Sequence, residues 1–327
     1  MSTIHVISVS GGKDSLATLL IAMERCPAGS VVAIFCDTGN EHEQTYAYLD
    51  YLEQALGITI IRLKADFSRQ LLVKRMFIAR DVRTGRDKAG RRLRWSNKAK
   101  RRALSVMHPS GNPFLDLCMW KGRFPSRKAQ FCTEELKRNM AVGYQLDLME
   151  AGHRVISWQG VRRDESHNRR NAKKFERVGG GLRICRPIVE WTAAQVFAYS
   201  AARGLQPNPL HLQGMGRVGC MPCINCNKAE LRQIATRFPQ HLERIAEWEV
   251  LVSMCSKRGG STFMADAHPG KDRRQVFADL NIWSRIEWSK TTRGGKQFNL
   301  LDATEHDGAG GCSSSYGLCE QAELESA

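Results

Sequence analysis

The first 65 residues alternate between two patterns of apolar positions. Short apolar runs at 5–9, 31–35 and 59–63 predict strands, and the middle run is apolar throughout, as in a strand buried on both faces. Apolar residues three or four positions apart at 16–23 and 43–56 predict amphipathic helices between these strands. Strands joined by helical crossovers form parallel sheets with right-handed connections. The pattern therefore predicts an α/β fold with a doubly wound parallel sheet.

Two polar turns follow the first two predicted strands. The first is rich in glycine and leads straight into a helix; its residues are Ser10, Gly11, Gly12, Lys13, Asp14 and Ser15. Glycines let a backbone approach a ligand closely, and a helix N-terminus presents N–H groups to phosphate. The second turn is Asp37-Thr38-Gly39. Because both turns fall at the carboxyl edge of the predicted sheet, we expect a nucleotide there, with Asp37 near its phosphates or Mg²⁺.

Composition adds a strong positive charge to this picture. The 327-residue chain is 42% apolar and carries a formal net charge of +16, which favours polyanionic partners. Eleven Lys or Arg and two Asp fall between residues 80 and 102. We interpret this basic insertion either as an arm that binds nucleic-acid phosphates, with Trp95 stacking on a base, or as a solvated surface loop. With no apolar run of membrane-spanning length and no signal peptide, we expect a cytoplasmic protein.

Three evenly spaced cysteines predict a metal centre. Cys220, Cys223 and Cys226 are each separated by two residues, so their thiolates can meet in one turn. Cys132 or His211 could supply a fourth ligand. Spacing alone leaves zinc and an iron–sulfur cluster both open. We expect Cys132 to open a helix, where the helix dipole lowers a thiol pKa.

The glycine turn resembles the PP-loop of the adenine-nucleotide α-hydrolase-like (HUP) superfamily, whose members bind ATP and cleave it between the α- and β-phosphates. The order of the later motifs, over residues 4–230, is similar to that of the phosphoadenosine phosphosulfate (PAPS) reductase family. These motifs are Asp37-Thr38-Gly39, Cys132-Thr-Glu-Glu-Leu-Lys137, Gly160-Val-Arg-Arg-Asp-Glu-Ser166, Pro187-Ile-Val-Glu-Trp191-Thr192 and Asn208-Pro-Leu. The resemblance implies that the glycine turn holds nucleotide phosphates. It also implies that the anionic end of the nucleotide is bound with the help of Lys137, Gly160, Arg162, Arg163 and Ser166.

The chain departs from PAPS reductases in three places. Lys13 and Asp14 are intact where those enzymes usually have a degraded glycine loop, which favours ATP over PAPS. The C-terminal motif that carries the reductases' nucleophilic cysteine has a counterpart of similar composition in a different order, with Cys319 as the candidate. Cys132 is followed by Thr133, whereas the adenylylsulfate branch has a cysteine pair there.

The resemblance also bears on the identity of the metal. Relatives that combine an intact glycine loop with clustered cysteines, such as tRNA thiolases and a DNA phosphorothioation enzyme, use iron–sulfur centres. We therefore expect a [4Fe–4S] cluster, with Zn²⁺ as the alternative. The expected ligands are Cys132, Cys220, Cys223 and Cys226.

Together these features predict an ATP-dependent enzyme that takes part in sulfur transfer to a nucleic acid. ATP would be cleaved to AMP and pyrophosphate, with Lys13, Asp14, Asp37 and Cys319 as the catalytic candidates. One alternative is a PAPS or adenylylsulfate reductase with a modified tail. Another is a nucleotide-binding accessory subunit of a nucleic-acid complex.

The same features predict three consecutive regions along the chain. We expect a nucleotide-binding domain at 1–200 that carries the basic insertion at 80–102. A cysteine loop with helices follows at 201–255. The remainder, 256–327, is expected to be a polar extension, partly helical and partly irregular.

Overall fold

The computed structural model describes residues 2–264, 273–292 and 297–298, and these residues form two units. The first unit consists of residues 2–65 and 131–225, and the second of residues 66–130 with the described residues from 226 onward. The chain thus leaves the first unit, returns to it and leaves it again, which differs from the three consecutive regions that we predicted. The basic insertion at 80–102 belongs to the second unit.

A six-stranded sheet forms the centre of the first unit. Its strands are β1 (Thr3–Ser8), β2 (Val31–Asp37), β3 (Ile60–Lys64), β4 (Arg154–Trp158), β5 (Phe175–Arg177) and β6 (Arg183–Cys185). They stand in the order β3-β2-β1-β4-β6-β5, and all neighbours run parallel except β5 and β6. The predicted α/β fold is confirmed, and the antiparallel strand at one edge is an addition that the apolar pattern did not reveal.

Helices cover both faces of this sheet. They are α1 (Lys13–Arg25), α2 (Glu43–Leu56), α6 (Phe131–Thr133), α7 (Asn139–Glu150), α8 (Ala193–Ala201) and α9 (Pro209–Leu212). Ile7 of β1 packs in the larger core with Leu19 of α1. Its neighbour Val6 packs in the smaller core with Ala141 of α7. Adjacent residues of β1 therefore face opposite cores, as a doubly wound sheet requires.

The second unit is mainly helical. Its helices are α3 (Ser68–Ala79), α4 (Asn97–Val106), α5 (Pro113–Lys121), α10 (Lys228–Arg237), α11 (Pro239–Cys255), α12 (Arg273–Leu280) and α13 (Ile282–Ser289), and a small ribbon pairs β7 (Thr291–Thr292) with β8 (Gln297–Phe298). Aromatic rings fill its core, where Phe114 lies 5.7 Å from Trp248 and Phe124 lies 5.5 Å from Phe263, measured between ring centroids. None of the helices in the described residues combines the length and apolar character that a membrane span needs.

The basic insertion is folded against its own unit, and Trp95 lies in the interior. Only 6% of Trp95 is exposed, and its backbone N–H donates to Asp81 Oδ2 at 2.7 Å. Asp81 Oδ1 also accepts from Arg83 Nε at 2.8 Å, and the Asp81 carbonyl accepts from Lys100 Nζ at 2.9 Å. The prediction that Trp95 is available to stack on a base is therefore wrong, because the buried Asp81 carboxylate holds this segment closed.

Candidate functional site

The glycine turn between β1 and α1 is fixed by local hydrogen bonds. Ser15 Oγ donates to the Gly12 carbonyl at 2.9 Å, and the Ser10 N–H donates to Ser15 Oγ at 3.1 Å. Gly11 has φ +74°, a left-handed conformation that suits glycine. No side chain caps α1 at Gly12, so the first N–H groups of this helix are left for a ligand or for solvent.

Two glycines at this site leave no room for a side chain, one against a neighbouring backbone and the other against a neighbouring side chain. A Cβ atom on Gly160, just after β4, would lie 2.7 Å from the carbonyl carbon and oxygen of Asp14 and 2.9 Å from the Ser15 nitrogen. A Cβ atom on Gly11 would lie 2.8 Å from Cγ2 of Thr45 in α2. Both separations are shorter than real Cβ contacts. Glycine is therefore required at both positions for a steric reason.

An open cleft lies where β1, β2 and β4 end, at the carboxyl edge of the sheet. Its empty volume, including its mouth, is about 620 Å³. Apolar side chains form one part of its wall: Val9, Ile34, Phe35 and Val161. Of the predicted site residues, Ser10, Ser15, Lys137 and Gly160 line it.

The cleft also has lining residues that the sequence analysis missed, namely Ser8, Cys36, Glu41, Gln159 and Gly219. The Oγ atom of Ser8 and the Nε2 atom of Gln159 are buried and have no hydrogen-bond partner among the described residues. A buried polar atom without a partner is costly, so each of these atoms is suited to bind a ligand. Ser8 and Gln159 carry no motif signal, whereas Glu41 directly follows the Asp37-Thr38-Gly39-Asn40 turn.

The turn after β2 gathers two carboxylates around one tyrosine. The Tyr46 hydroxyl donates to Asp37 Oδ1 at 2.7 Å and lies 3.3 Å from Glu41 Oε2. Thr38 Oγ1 donates to Glu41 Oε1 at 2.7 Å, and the Gly39 N–H donates to Asp37 Oδ1 at 2.9 Å. Burial, and then the charge of Glu41, raise the pKa of Tyr46, so its hydroxyl stays protonated. Within the described structure Oδ2 of Asp37 makes no hydrogen bond, which leaves it for a cation or for water.

Asp14 links the glycine turn to the segment that follows β4. Its Oδ2 lies 3.4 Å from Lys13 Nζ, and its Oδ1 accepts from Arg162 Nε at 2.6 Å. Arg162 is only 4% exposed, and its Nη1 lies 2.5 and 2.6 Å from the carboxylate oxygens of Asp164. Carboxylates within the protein therefore account for the burial of Arg162, whereas the resemblance implied a direct contact with the nucleotide.

The residues that follow Arg162 differ in whether their polar groups have partners within the protein. Arg169 has no exposed surface and pairs with Glu165. Burial raises the pKa of Glu165, and the charge of Arg169 opposes that shift. Ser166 Oγ is shielded from solvent and has no hydrogen-bond partner among the described residues. Arg163 is exposed, with Nη1 3.2 Å from Glu190 Oε1. Ser166 thus keeps an unused hydroxyl and Arg163 an accessible charge.

Lys137 lies in a π-helical turn between α6 and α7. This turn spans Glu134–Arg138, and π turns inside helices are frequent at functional sites. Cys36 donates its S–H to the Lys137 carbonyl at 3.5 Å. Burial raises the thiol pKa values of Cys36, Cys132 and Cys220, and the charge of Lys137 opposes the shift at all three. Lys137 is thus a cation shared by three thiols beside the cleft.

Three cysteines of the predicted metal set lie in the first unit. The charge of Cys223 raises the pKa values of both Cys132 and Cys220, so the Cys223 thiol acts electrostatically on each of the other two. Within the described part of the chain, no three cysteine sulfurs lie within 4.8 Å of one another. The predicted lowering of the Cys132 pKa by the helix dipole is wrong, because burial raises that pKa to about 11.

The other predicted sulfur ligands and the alternative histidine lie elsewhere. Cys226 is buried and is the first residue of the second unit after the cysteine loop, and Cys319 lies outside the described residues. His211 packs edge-on against Phe197, with 5.5 Å between ring centroids, and its Nδ1 lies 3.0 Å from the Met215 carbonyl. Burial, and then the charge of Lys13, lower the pKa of His211. These partners associate His211 with the glycine turn.

The cysteine loop is tied to the acidic turn through its backbone. The Met221 N–H donates to the Asn40 carbonyl at 2.7 Å, and Asn40 Nδ2 donates to the Pro222 carbonyl at 3.0 Å. Cys220 pairs with Glu41 in an antiparallel bridge, and its Sγ lies 3.5 Å from Thr38 Oγ1. The cysteine loop therefore closes against the turn that carries Asp37.

Comparison with known proteins yields a match over most of the chain. The model of the phosphoadenosine phosphosulfate reductase domain matches residues 4–226. An uncharacterized 37.8 kDa protein of Escherichia phage 186 is 46% identical over 330 residues, which cover 98% of this chain and 97% of that protein. An adenosine 5′-phosphosulfate reductase of Geobacillus kaustophilus is 33% identical over 120 residues, 34% of this chain and 51% of that enzyme. A solved phosphoadenylyl-sulfate reductase from Candida auris covers 67% of this chain and 82% of its own, with 18% identity and a TM-score of 0.39.

Gly160→Ala should displace the first turn of α1, because the added methyl group would overlap the Asp14 carbonyl. We expect the free energy of unfolding to fall by about 1–3 kcal/mol, as for other overpacked sites, and nucleotide affinity to fall with it. Denaturant titration and calorimetry measure the two effects. Gly143→Ala in α7 is the matched control, since no atom lies within 4 Å of its Cβ position. Unchanged stability and affinity in Gly160→Ala would contradict the steric argument.

Arg162→Met should destabilise the first unit, because it leaves the Asp14 and Glu165 carboxylates buried without this cation. Breaking a buried ion pair from one side costs about 3–5 kcal/mol. The double variant Arg162→Met/Asp14→Asn should recover part of that loss in urea denaturation, since it removes one of the stranded charges. The exposed Arg163→Met is the control, with an effect of at most about 1 kcal/mol. No recovery in the double variant would show that the pair with Asp14 is not the cause.

Proposed function

The chain belongs to the phosphoadenosine phosphosulfate reductase family, in the PP-loop superfamily, and from that premise we propose that it binds ATP and cleaves it to AMP and pyrophosphate. The observation that carries the proposal is the glycine turn with its intact Lys13, at the uncapped start of α1 beside the cleft. Backbone N–H groups and a lysine ammonium stabilise the charge that develops on departing pyrophosphate.

The wall of the cleft combines apolar and polar groups, which suits a nucleotide. Val9, Ile34, Phe35 and Val161 offer an apolar surface for a base, and Ser10 and Ser15 add polar groups to the same wall. The unpartnered Nε2 of Gln159 supplies a hydrogen-bond donor within the same wall. An apolar cavity with a few convergent polar groups is the common form of a small-ligand site.

Asp37 suits a magnesium ion because its Oδ2 atom is uncommitted while Oδ1 is fixed by Tyr46 and Gly39. Mg²⁺ is bound in phosphate sites through one or two carboxylates together with phosphate oxygens. Bound there, the ion would neutralise charge on the phosphates. In this proposal Asp37 holds the cation, Lys13 contacts the phosphates, and Asp14 orients Lys13.

Three of the four predicted cysteine ligands suit a [4Fe–4S] cluster. The charge of Cys223 acts on Cys132 and on Cys220, and Lys137 opposes the rise in the pKa values of these two thiols. A tetrahedral zinc site with Zn–S bonds of about 2.3 Å would bring its sulfurs to about 3.8 Å from one another, which is closer than these three stand. By its sequence spacing, Cys226 stays the predicted fourth ligand. The cluster, when bound, would supply an iron site for sulfur.

We further propose that the ATP cleavage serves sulfur transfer to a nucleic acid. An oxygen of the acceptor attacks the α-phosphorus, pyrophosphate leaves, and the acceptor is adenylated at that oxygen. A hydrosulfide or persulfide sulfur then attacks the adenylated carbon and AMP leaves with the oxygen. The acceptor thus exchanges oxygen for sulfur without a net redox change when hydrosulfide is the donor. Cys319 is the proposed sulfur carrier; when it carries the sulfur as a persulfide, the attack forms a disulfide between the acceptor and Cys319, and a thiol reductant then releases the thiolated acceptor and the Cys319 thiol.

A second candidate function is the reduction of an adenylylated sulfate. The similarity to adenosine 5′-phosphosulfate reductases favours it, although that similarity covers a third of this chain or less. In this alternative the cleft would bind a nucleotide that already carries sulfate. An accessory role that uses the bound nucleotide without turnover is the third possibility, and a turnover assay separates it from the first two.

We expect calorimetric titration to give tighter binding of ATP than of PAPS, because Lys13 and Asp14 are intact. Lys13→Ala should weaken ATP binding by about 1.5–3 kcal/mol through loss of a charge-assisted phosphate contact. Lys98→Ala, an exposed lysine of the second unit, is the charge-matched control. Tighter binding of PAPS, with no release of pyrophosphate from ATP, would favour the reductase function instead.

Anaerobically purified protein should be brown and contain about four irons per chain, as a [4Fe–4S] cluster requires. Cys223→Ser should lower the iron content and the melting temperature, because metal-binding free energy contributes to folding. Cys26→Ser, at a half-buried position outside the ligand set, should retain the iron. One zinc per chain and no iron, in anaerobic and aerobic preparations alike, would identify the loop as a structural zinc site.

A further inference from the structure

The antiparallel edge of the sheet carries an exposed aromatic ring among basic side chains. β5 begins at Phe175, which is 67% exposed, and Lys173 and Lys174 precede it on the surface. Single apolar residues are common on protein surfaces, and what distinguishes this ring is the basic side chains around it. The following residues, Arg177 on β5 and Arg183 on β6, are also exposed.

The register of this hairpin places its two ends at opposite edges of the sheet. β6 runs parallel to β4, with Cys185 opposite Trp158, and Phe175 is opposite Cys185. Phe175 therefore lies at the carboxyl edge, where Gln159 continues from β4 into the wall of the cleft. Arg177 is opposite Arg183, at the start of β6, and thus lies toward the amino edge.

One buried side chain connects the hairpin to the cleft. Arg186 Nε donates to Gln159 Oε1 at 3.1 Å. Its Nη1 donates to Glu176 Oε2 at 2.8 Å and to the Lys173 carbonyl at 3.0 Å. A ligand that contacts Lys173 and Phe175 would therefore lie next to the wall of the nucleotide cleft.

The lysines here are less committed than several charges of the basic insertion. In the described structure neither Lys173 nor Lys174 takes part in an ion pair or a side-chain hydrogen bond. In the insertion, by contrast, Arg83 and Arg91 pair with aspartates and Lys100 bonds to backbone carbonyls. A charge without an internal partner can neutralise a phosphate without first breaking a contact.

We propose that Lys173, Lys174 and Phe175 form a docking site for single-stranded nucleic acid at the mouth of the nucleotide cleft. The inference deepens the proposed function, on which it rests, by naming the form of the acceptor. An exposed ring stacks on any unpaired base, and flanking lysines contact the phosphates on either side. Bases inside a duplex are stacked on each other, so a lone phenylalanine selects the single strand.

The test uses the full-length protein and fluorescein-labelled 20-nucleotide probes, oligothymidylate for DNA and oligouridylate for RNA, in anisotropy titrations across salt concentrations. Lys173→Ser/Lys174→Ser should reduce the slope of log affinity against log salt by about 1.4, or about 0.7 per phosphate contact. Phe175→Ala should weaken binding about fivefold or more, and Phe175→Trp should restore it. A 20-base-pair duplex should bind more weakly than either single strand.

Arg177→Ser/Arg183→Ser is the control, because it removes the same charge from the other end of the same hairpin. An equal loss in both double variants, or duplex binding as tight as single-strand binding, would overturn the proposal. The two probes decide whether the site prefers DNA or RNA. ATP affinity, measured on the same variants, should be unchanged. If the wild-type protein does not turn over ATP but binds the single-stranded probes through this hairpin, the proposed function is rejected and the docking site is retained.

Discussion

The site depends on one close approach of backbone to backbone. The end of β4 meets the first turn of α1 at Gly160, where there is no room for a Cβ atom between Gly160 and the Asp14 carbonyl. This contact fixes the position of α1 relative to the sheet edge, and therefore the direction in which its N–H groups point. It also brings the segment after β4 close enough for Arg162 to reach Asp14 at 2.6 Å. The glycine turn, the cleft and the buried ion pairs all follow from that separation.

The buried charges then hold the site in one conformation. Asp14 pairs with Arg162, and Arg169 pairs with Glu165, so both buried arginines of the segment have a carboxylate partner. Such groups cost free energy to desolvate and contribute little net stability. Their value here is geometric, because each pair is satisfied only when the segment lies against α1. The arginine-rich motif thus positions the glycine turn, in addition to any contact that its exposed members make with a ligand.

Much of the fold was predictable because its signals are local. Continuous apolar runs identified the parallel strands, and helical periodicity identified α1 and α2. β5 was missed because Phe175-Glu176-Arg177 is short and polar and gains its structure only by pairing with β6. Glu41 and Tyr46 were missed because their link to Asp37 is a contact across a turn and a helix. Trp95 was misjudged because its burial depends on Asp81, 14 positions earlier, and charge density alone does not reveal such a pair.

The hydrogen bonds between the cysteine loop and the acidic turn have a thermodynamic consequence. Met221 and Pro222 are bonded to Asn40, and Asn40 follows directly on the turn that carries Asp37. A ligand that shifts one of these segments does work on the other. Linkage is reciprocal. A ligand bound at the cysteine loop changes the affinity of the acidic turn for its ligand by the same factor by which that second ligand changes the affinity of the cysteine loop. The two segments form one hydrogen-bonded element, so in the proposed function an occupant of the cysteine loop would change the affinity for the nucleotide.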